Sequence, residues 1–126
     1  MKYAALVALG GALGSVLRWL ITGWTQRLTP SNTFPYGTLF VNVLGSFAIG
    51  ALMTMASERT SLSPELRLLL VTGVLGGFTT FSAYSYETLA LLRSGQSSAA
   101  ALYAFGSVAL GIAAAFAGRA LVVGRI

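Results

Sequence analysis

Four long apolar stretches, separated by short polar segments, account for most of the chain. They run over about 3–23, 36–55, 65–92 and 99–123. A helix needs roughly 20 mostly apolar residues to cross the hydrocarbon core of a bilayer, and each stretch meets that length. The pattern therefore predicts an all-α membrane protein, in which residues 1–126 form a single domain of four transmembrane helices.

The segments between these stretches carry turn and helix-start signals. "WTQRLTPSNTFP" predicts a polar loop with two prolines, and "RSGQSS" predicts a turn. In "LSPE", Ser63 is expected to be the N-cap of the third helix, followed by Pro64 and Glu65 in its first turn. The first stretch is too long for the apolar part of a signal peptide and contains Arg18, so it is interpreted as a retained membrane helix.

Composition supports a membrane protein and excludes several kinds of chemistry. Hydrophobic residues make up 56% of the chain and charged residues 9%, whereas about 25% of a typical soluble domain is charged. The sequence has no Cys, His or Asp, which excludes disulfides, thiolate metal sites and histidine-based catalysis. An enzyme is not expected. The net charge of +5 is scattered, which suits residues flanking a membrane better than a nucleic-acid partner.

Basic residues are distributed almost evenly between the two sides of a four-helix topology. One side would have five of them and the other three: Lys2, Arg59, Arg67, Arg119 and Arg125 against Arg18, Arg27 and Arg93. Because orientation follows Lys and Arg in short loops, this count gives only a weak bias. Either the count is uninformative in so short a chain, or the chain inserts in both orientations.

The third stretch contains "TGVLGGFTTFSAYSYE", residues 72–87, which is unusual for a membrane helix. An unbroken 28-residue helix would be about 42 Å long, more than the bilayer core needs. Its glycines each disfavour helix by about 1 kcal/mol relative to Ala. The sequence predicts a break near Gly76 to Thr80, and the alternative is an unbroken helix with a glycine face. Backbone freed by a break must be buried or line water, and its carbonyls can bind a cation.

Pairs of small residues four apart occur in the first three stretches: Gly10 and Gly14, Ser46 and Gly50, and Gly73 and Gly77. This spacing lets helices approach closely. It is consistent either with ordinary packing between helices of one chain or with the seam of an oligomer.

Several polar side chains are candidates for a function inside the membrane. The amide of Asn42 is expected either to bond a neighbouring helix or to line a pathway, with Thr38 on the same face. Tyr103 and Ser107 form a short polar stripe on the fourth helix. The alternative for Ser107 is a hydrogen bond to its own i−4 carbonyl.

Aromatic and charged residues follow the predicted break. Phe81 and Tyr84 are three apart, so their rings should share a helix face, and Ser82 lies beside them. The rings either only pack or turn their positive edges towards an anion. Arg18 and Glu87 are costly in lipid, so each is expected to be an anchor or part of an ion entrance.

Three blocks, "GGALGSVLRW", "GTLFVNVLGSF" and "GVLGGFTTFSAYSYE", resemble the signature blocks of the Fluc family of fluoride channels. The resemblance extends over all four helices in order, and "GGFTTFS" is its most specific part. It implies an antiparallel dual-topology homodimer that passes fluoride passively across the bacterial cytoplasmic membrane and lowers intracellular fluoride.

The resemblance also implies roles for individual residues. Gly76 and Thr79 match positions whose backbone carbonyls hold a structural Na⁺ at the dimer interface. Arg18 matches the basic residue of the family's first block, and Glu87 matches the acid after the break. Tyr84 departs from the usual phenylalanine of the family. The expected fluoride pathway consists of Asn42, Phe81, Tyr84, Thr38, Ser82, Tyr103 and Ser107.

Two other functions are compatible with a small four-helix membrane protein. A dual-topology, proton-coupled exporter of cationic compounds needs a carboxylate within the membrane, and Glu87 is the only candidate. A non-conducting membrane adaptor would use Asn42 and the glycines only to hold its partners.

Overall fold

The computed structural model describes residues 1–29, 33–58 and 62–124, and every regular element within these ranges is helical. The elements are α1 Lys2–Leu28, α2 Tyr36–Glu58, α3 Pro64–Arg67, a π-helix Leu68–Leu75, α4 Gly76–Phe78, α5 Phe81–Arg93 and α6 Ser97–Val123. From α3 to α5 they form one interrupted segment. Together with α1, α2 and α6, this segment gives four stretches of the described chain that are long and apolar enough to cross a membrane. The predicted class, an all-α multi-pass membrane protein, is confirmed.

Helix α1 is longer than the sequence pattern indicated, because it ends at Leu28 and not near residue 23. The hydroxyls of Thr22 and Thr25 donate to carbonyls one turn earlier, at 2.8 and 2.7 Å, so these polar residues fit within the helix. The helix stops at Thr29, which is extended (φ −97°, ψ 137°). A residue that precedes a proline disfavours helix, and position 30 is a proline. Arg18 therefore lies in the interior of α1 and not near its end.

The other predicted boundaries are largely confirmed. The Ser63 hydroxyl accepts a hydrogen bond from the Leu66 amide at 3.2 Å, which caps α3, and Glu65 in the first turn pairs with Lys2 at 3.2 Å. Between α5 and α6 the chain turns at Gly95, whose φ of 78° favours glycine. Arg59 and Arg125, which contribute to the predicted charge bias, lie outside the described residues.

The third segment is broken within the predicted range, but not at its glycines. Gly76 is helical, with φ −62° and ψ −37°. The backbone becomes extended at Thr79 (φ −83°, ψ 158°) and Thr80 (φ −152°, ψ 119°), and α5 then begins at Phe81. The break therefore falls at the two β-branched threonines, and the neighbouring glycines remain helical. The π-helix before the break had no counterpart in the predicted pattern.

The glycines of the third segment instead provide close contact with α1. Gly10 faces Gly73, and a Cβ built on either would lie 2.9 Å from the Cα of the other. A Cβ on Gly14 would collide with the carbonyl of Val74, and one on Gly77 with that of Gly11. Both alternatives for this stretch are thus partly realised, since the helix is broken and its glycine face also packs. These glycines pack against one another within a single chain, so they are not available to an interface between chains.

Helices α2 and α6 form the second close pair. A Cβ on Gly50 would collide with the Ala115 carbonyl, and one on Gly118 with the Phe47 carbonyl. The buried interior is small and centres on Val41, Leu75, Phe78, Leu91 and Tyr103, while most large apolar side chains are exposed. Such a surface is stable only where lipid or another protein surface covers it.

Candidate functional site

Asn42 is bonded to the break in the third segment through both ends of its amide. Its Oδ1 accepts from the Thr80 amide at 2.8 Å, and its Nδ2 donates to the Thr80 carbonyl at 3.0 Å. Unpaired backbone groups cost several kcal/mol each within a membrane, so this pair makes the extended residue tolerable. Of the two alternatives for Asn42, the interhelical bond is present. A second Nδ2 proton is available for another acceptor.

The break leaves several carbonyls without their usual helical donors, among them those of Gly76 and Thr79. The Gly76 carbonyl would pair with the Thr80 amide in a continuous helix, but that amide is bonded to Asn42. The Thr79 carbonyl would pair with the Ala83 amide, which instead donates to the Thr80 hydroxyl at 3.2 Å. An Arg18 guanidinium nitrogen lies 3.5 Å from the Thr79 carbonyl oxygen. Gly76 and Thr79 both line the cavity described next.

A cavity of about 380 Å³ lies directly beside the break. Polar residues from three parts of the chain line it. These are Asn42 and Ser46 of α2, Thr79 and Thr80 of the break, and Ser107 of α6. None of the residues lining it is charged. The remaining lining residues are Gly45, Ile49, Val71, Leu75, Gly76, Phe81, Tyr84 and Val108. We call this space the first cavity.

Aromatic rings line one end of the first cavity. The ring centroids of Phe81 and Tyr84 are 5.4 Å apart, which confirms that the two rings share a face. Tyr84 lies at the same distance from Tyr103, and the Tyr84 hydroxyl donates to the Ala104 carbonyl at 3.1 Å. Phe81 is 79% exposed although it lines the cavity, so the cavity is open on that side of the chain.

Glu87 joins three helices through its carboxylate. One oxygen accepts from the Thr38 hydroxyl of α2 and the other from the Tyr103 hydroxyl of α6, both at 2.7 Å. Charged acceptors make strong hydrogen bonds, and two such bonds offset part of the cost of holding a carboxylate among apolar helices. Thr38 and Tyr103 are thus gathered around Glu87 and not around Asn42.

A second cavity of about 410 Å³ begins at Thr38 and Glu87. It also reaches Thr22, Gln26 and Thr33, so it opens between α1 and the start of α2. Measured along α2, Thr38 is one turn from Asn42 of the first cavity. Along α5, Glu87 is one turn from Tyr84. The two cavities therefore follow one another along α2 and α5.

Three of the predicted residues line neither cavity, and one of them, Tyr103, is bonded to Glu87. The Ser82 hydroxyl is exposed and lies 3.2 Å from the Thr80 hydroxyl, and Ser82 lines neither space. Arg18 lies beside the Thr79 carbonyl, on the α1 side of the break. Sequence reasoning had not assigned Thr80, the residue to which Asn42 is bonded. Its signal was a hydroxyl residue immediately before an amphipathic run, which favours a helix N-cap.

The chain matches known proteins over nearly its whole length. Residues 5–119 match the family described as CrcB-like protein, Camphor Resistance (CrcB). The chain belongs to the CrcB family. Among curated relatives, the "Fluoride-specific ion channel FluC" of Thermus thermophilus is 57% identical over 92% of this chain and 90% of its own. The protein of that name from Agrobacterium fabrum is 52% identical over 93% of each chain.

Membership of the CrcB family confirms the resemblance identified from the three sequence blocks. The matched range contains the break and every residue lining the two cavities. A third relative, the "Fluoride-specific ion channel FluC" of Roseiflexus, is 52% identical over 89% of this chain and 90% of its own. Both cavities therefore belong to the part of the chain that the family shares.

Proposed function

We propose that this chain is a fluoride-selective channel that lets fluoride cross the bacterial cytoplasmic membrane passively and so lowers its intracellular concentration. The observation that carries the proposal is the first cavity, in which uncharged polar residues from three segments meet beside a helix break. Membership of a family whose curated relatives are named fluoride-specific ion channels supports the same conclusion. The protein is a channel and not an enzyme.

The donors of the first cavity suit a small, strongly hydrated anion. Asn42 retains one amide proton, and Ser107 has a buried hydroxyl without a hydrogen-bond partner in the described part of the chain. The exposed edge of Phe81 adds a weakly positive surface. A channel must bind its ion well enough to replace water but weakly enough to release it. Uncharged donors meet this requirement better than a fixed Lys or Arg.

The exporter alternative has little support at Glu87. Proton-coupled exchange needs a carboxylate that is free to take up either a proton or the cationic substrate. Here both carboxylate oxygens of Glu87 already accept hydrogen bonds from hydroxyl groups, those of Thr38 and Tyr103. A non-conducting adaptor does not account for the two cavities.

Efflux from liposomes tests the proposal against both alternatives. Vesicles containing the purified protein are loaded with potassium fluoride or potassium chloride, and valinomycin then starts efflux. A fluoride channel releases fluoride rapidly and retains chloride, without requiring a proton gradient. Absence of fluoride release, or equal release of both anions, would rule out a fluoride-selective channel.

We propose further that two copies pair in antiparallel orientation to form the working channel. The first cavity is open at Phe81, and Gly76 of its lining is also exposed, so a second surface is needed to close it. A second copy inserted in the opposite orientation would present the same open side. The nearly even charge count agrees with insertion in both orientations.

We propose that a structural Na⁺ lies between the two copies. The chemistry of the break fits this ion, because the Gly76 and Thr79 carbonyls have lost their helical donors and hard oxygen ligands suit Na⁺. Two copies would supply four such carbonyls, and no carboxylate lines the first cavity to favour a divalent cation. The bound cation would supply positive charge beside an anion path without a charged side chain.

Replacing all Na⁺ with N-methylglucamine tests the cation site without relying on conduction alone. The melting temperature of the purified protein should fall and should recover when Na⁺ is added back, and fluoride efflux should follow the same dependence. An equal melting temperature with and without Na⁺ would contradict a structural ion at the break.

A further inference from the structure

The hydroxyl of Tyr84 reaches across from α5 to the backbone of α6. Its oxygen lies 3.1 Å from the Ala104 carbonyl, to which it donates. The Tyr84 ring lines the first cavity and packs between the rings of Phe81 and Tyr103. The proton of this hydroxyl is therefore used within the chain and is not available to an ion in the first cavity.

Ser107, one turn further along α6, has a hydroxyl that makes no such bond. A serine within a helix commonly donates to the carbonyl three or four residues earlier. Ser46 and Ser85 do so here, at 2.7 and 2.9 Å. The Ser107 oxygen is buried, lines the first cavity and is the one buried side-chain N or O atom of the described residues that lacks a partner.

The Ala104 carbonyl connects the Tyr84 hydroxyl with the Ser107 hydroxyl. It lies three residues before Ser107, so it is one of the two acceptors that the Ser107 hydroxyl would ordinarily use. A carbonyl oxygen has two lone pairs, and in an α-helix one accepts from the amide four residues later. The Tyr84 hydroxyl takes the other. A competing acceptor for the Ser107 proton is thereby occupied.

We propose that Tyr84 is a positioning residue: by occupying the Ala104 carbonyl, its hydroxyl keeps the Ser107 hydroxyl directed into the first cavity, where it donates to a passing fluoride ion. This role rests on the proposed function. Removing the Tyr84 hydroxyl frees the Ala104 carbonyl, and Ser107 then turns back to donate to it. The first cavity loses a donor although every residue lining it keeps its place.

A double-mutant cycle on fluoride efflux tests this coupling in the full-length protein. Tyr84→Phe should lower efflux roughly fivefold, as expected for the loss of about one hydrogen bond to the ion. In a Ser107→Ala background the same substitution should change nothing further. Tyr86→Phe is the matched control, because Tyr86 lies on the same helix with its side chain exposed, and it should conduct like the wild type. Equal fractional effects of Tyr84→Phe in both backgrounds, or no effect at all, would overturn the proposal.

A carbonyl label reports on the same coupling without conduction. Only Ala104 and Ala115 precede a phenylalanine in this sequence, so ¹³C-carbonyl alanine with ¹⁵N-phenylalanine gives two correlated NMR signals. Ala115 serves as the internal reference, and Tyr84→Phe adds one further signal from Ala83. The Ala104 carbonyl shift should stay near its wild-type value in Tyr84→Phe, because Ser107 replaces the lost donor. It should move when Ser107→Ala is added.

The two readouts separate the possible failures. An Ala104 shift that moves equally with and without the Ser107 hydroxyl would overturn the positioning role, whatever the efflux. A wild-type protein that conducts no fluoride but shows the expected shifts would remove the proposed function and leave the Tyr84–Ser107 coupling established.

Discussion

At the scale of single residues, the buried polar groups satisfy one another in specific pairs. Asn42 bonds both backbone groups of Thr80, and Glu87 accepts hydrogen bonds from the hydroxyls of Thr38 and Tyr103. The sequence indicated that Asn42 and Glu87 must be paired, because lipid cannot solvate them. The partners could not be predicted, because they depend on how the helices pack. Thr80 is 38 residues from Asn42 along the chain, and the two partners of Glu87 are 49 and 16 residues from it.

Tyr103→Phe tests the arrangement around Glu87. The substitution removes one of the two hydroxyl donors to the carboxylate, so it should destabilise the protein by about 1.5–3 kcal/mol. Tyr3→Phe is a suitable control, because Tyr3 is exposed near the start of α1. Thermal or denaturant unfolding in detergent measures both variants, and equal loss of stability in the two would contradict a structural role for the Tyr103–Glu87 bond.

At the scale of helices, the number and order of the apolar segments followed directly from hydrophobic length. The position of the break followed less directly. Its range was predicted, but the extended residues are Thr79 and Thr80 and the nearby glycines are helical. A glycine lowers helix propensity by only about 1 kcal/mol, and close packing against α1 outweighs that preference. The Asn42 amide instead stabilises the extended backbone of Thr80.

Two glycines of α6 provide a matched test of close helix packing. A Cβ on Gly118 would collide with the Phe47 carbonyl of α2, whereas a Cβ on Gly106 meets no atom within 4 Å. Gly118→Ala should therefore destabilise the protein by about 1–3 kcal/mol, as overpacking typically does. Gly106→Ala should be neutral or slightly stabilising, because alanine favours helix. Unfolding measurements that rank the two variants in the opposite order would contradict the α2–α6 contact.

At the scale of the whole molecule, one chain does not fully enclose the first cavity. The first cavity is open at Phe81, and most large apolar side chains are exposed. A sequence predicts which residues are apolar but not which of them meet lipid and which meet a second copy. The near balance of basic residues was the one available signal for orientation.

Cysteine labelling in intact vesicles tests the two orientations. Ser57 and Ser97 are both exposed, near the end of α2 and at the start of α6, which four successive crossings place on opposite sides of the membrane. Since the chain has no native cysteine, Ser57→Cys and Ser97→Cys each give a single label site. An antiparallel pair should react about half from outside at each site, and the rest only after the vesicles are opened. Strictly one-sided reaction at both sites would exclude dual topology.

If fluoride passes the Asn42 amide in the first cavity, a carboxylate at this position should block it, and one efflux comparison tests this directly. Asn42→Asp replaces amide donors with a carboxylate, which repels both the Thr80 carbonyl and an entering anion. Gln96→Glu makes the same chemical change at the turn between α5 and α6, away from both cavities. With each variant shown to elute at the wild-type size, Gln96→Glu should release fluoride at the wild-type rate and Asn42→Asp at least a hundredfold more slowly, as expected for about 3 kcal/mol. Fluoride efflux at the wild-type rate through Asn42→Asp would show that the ion does not use this cavity.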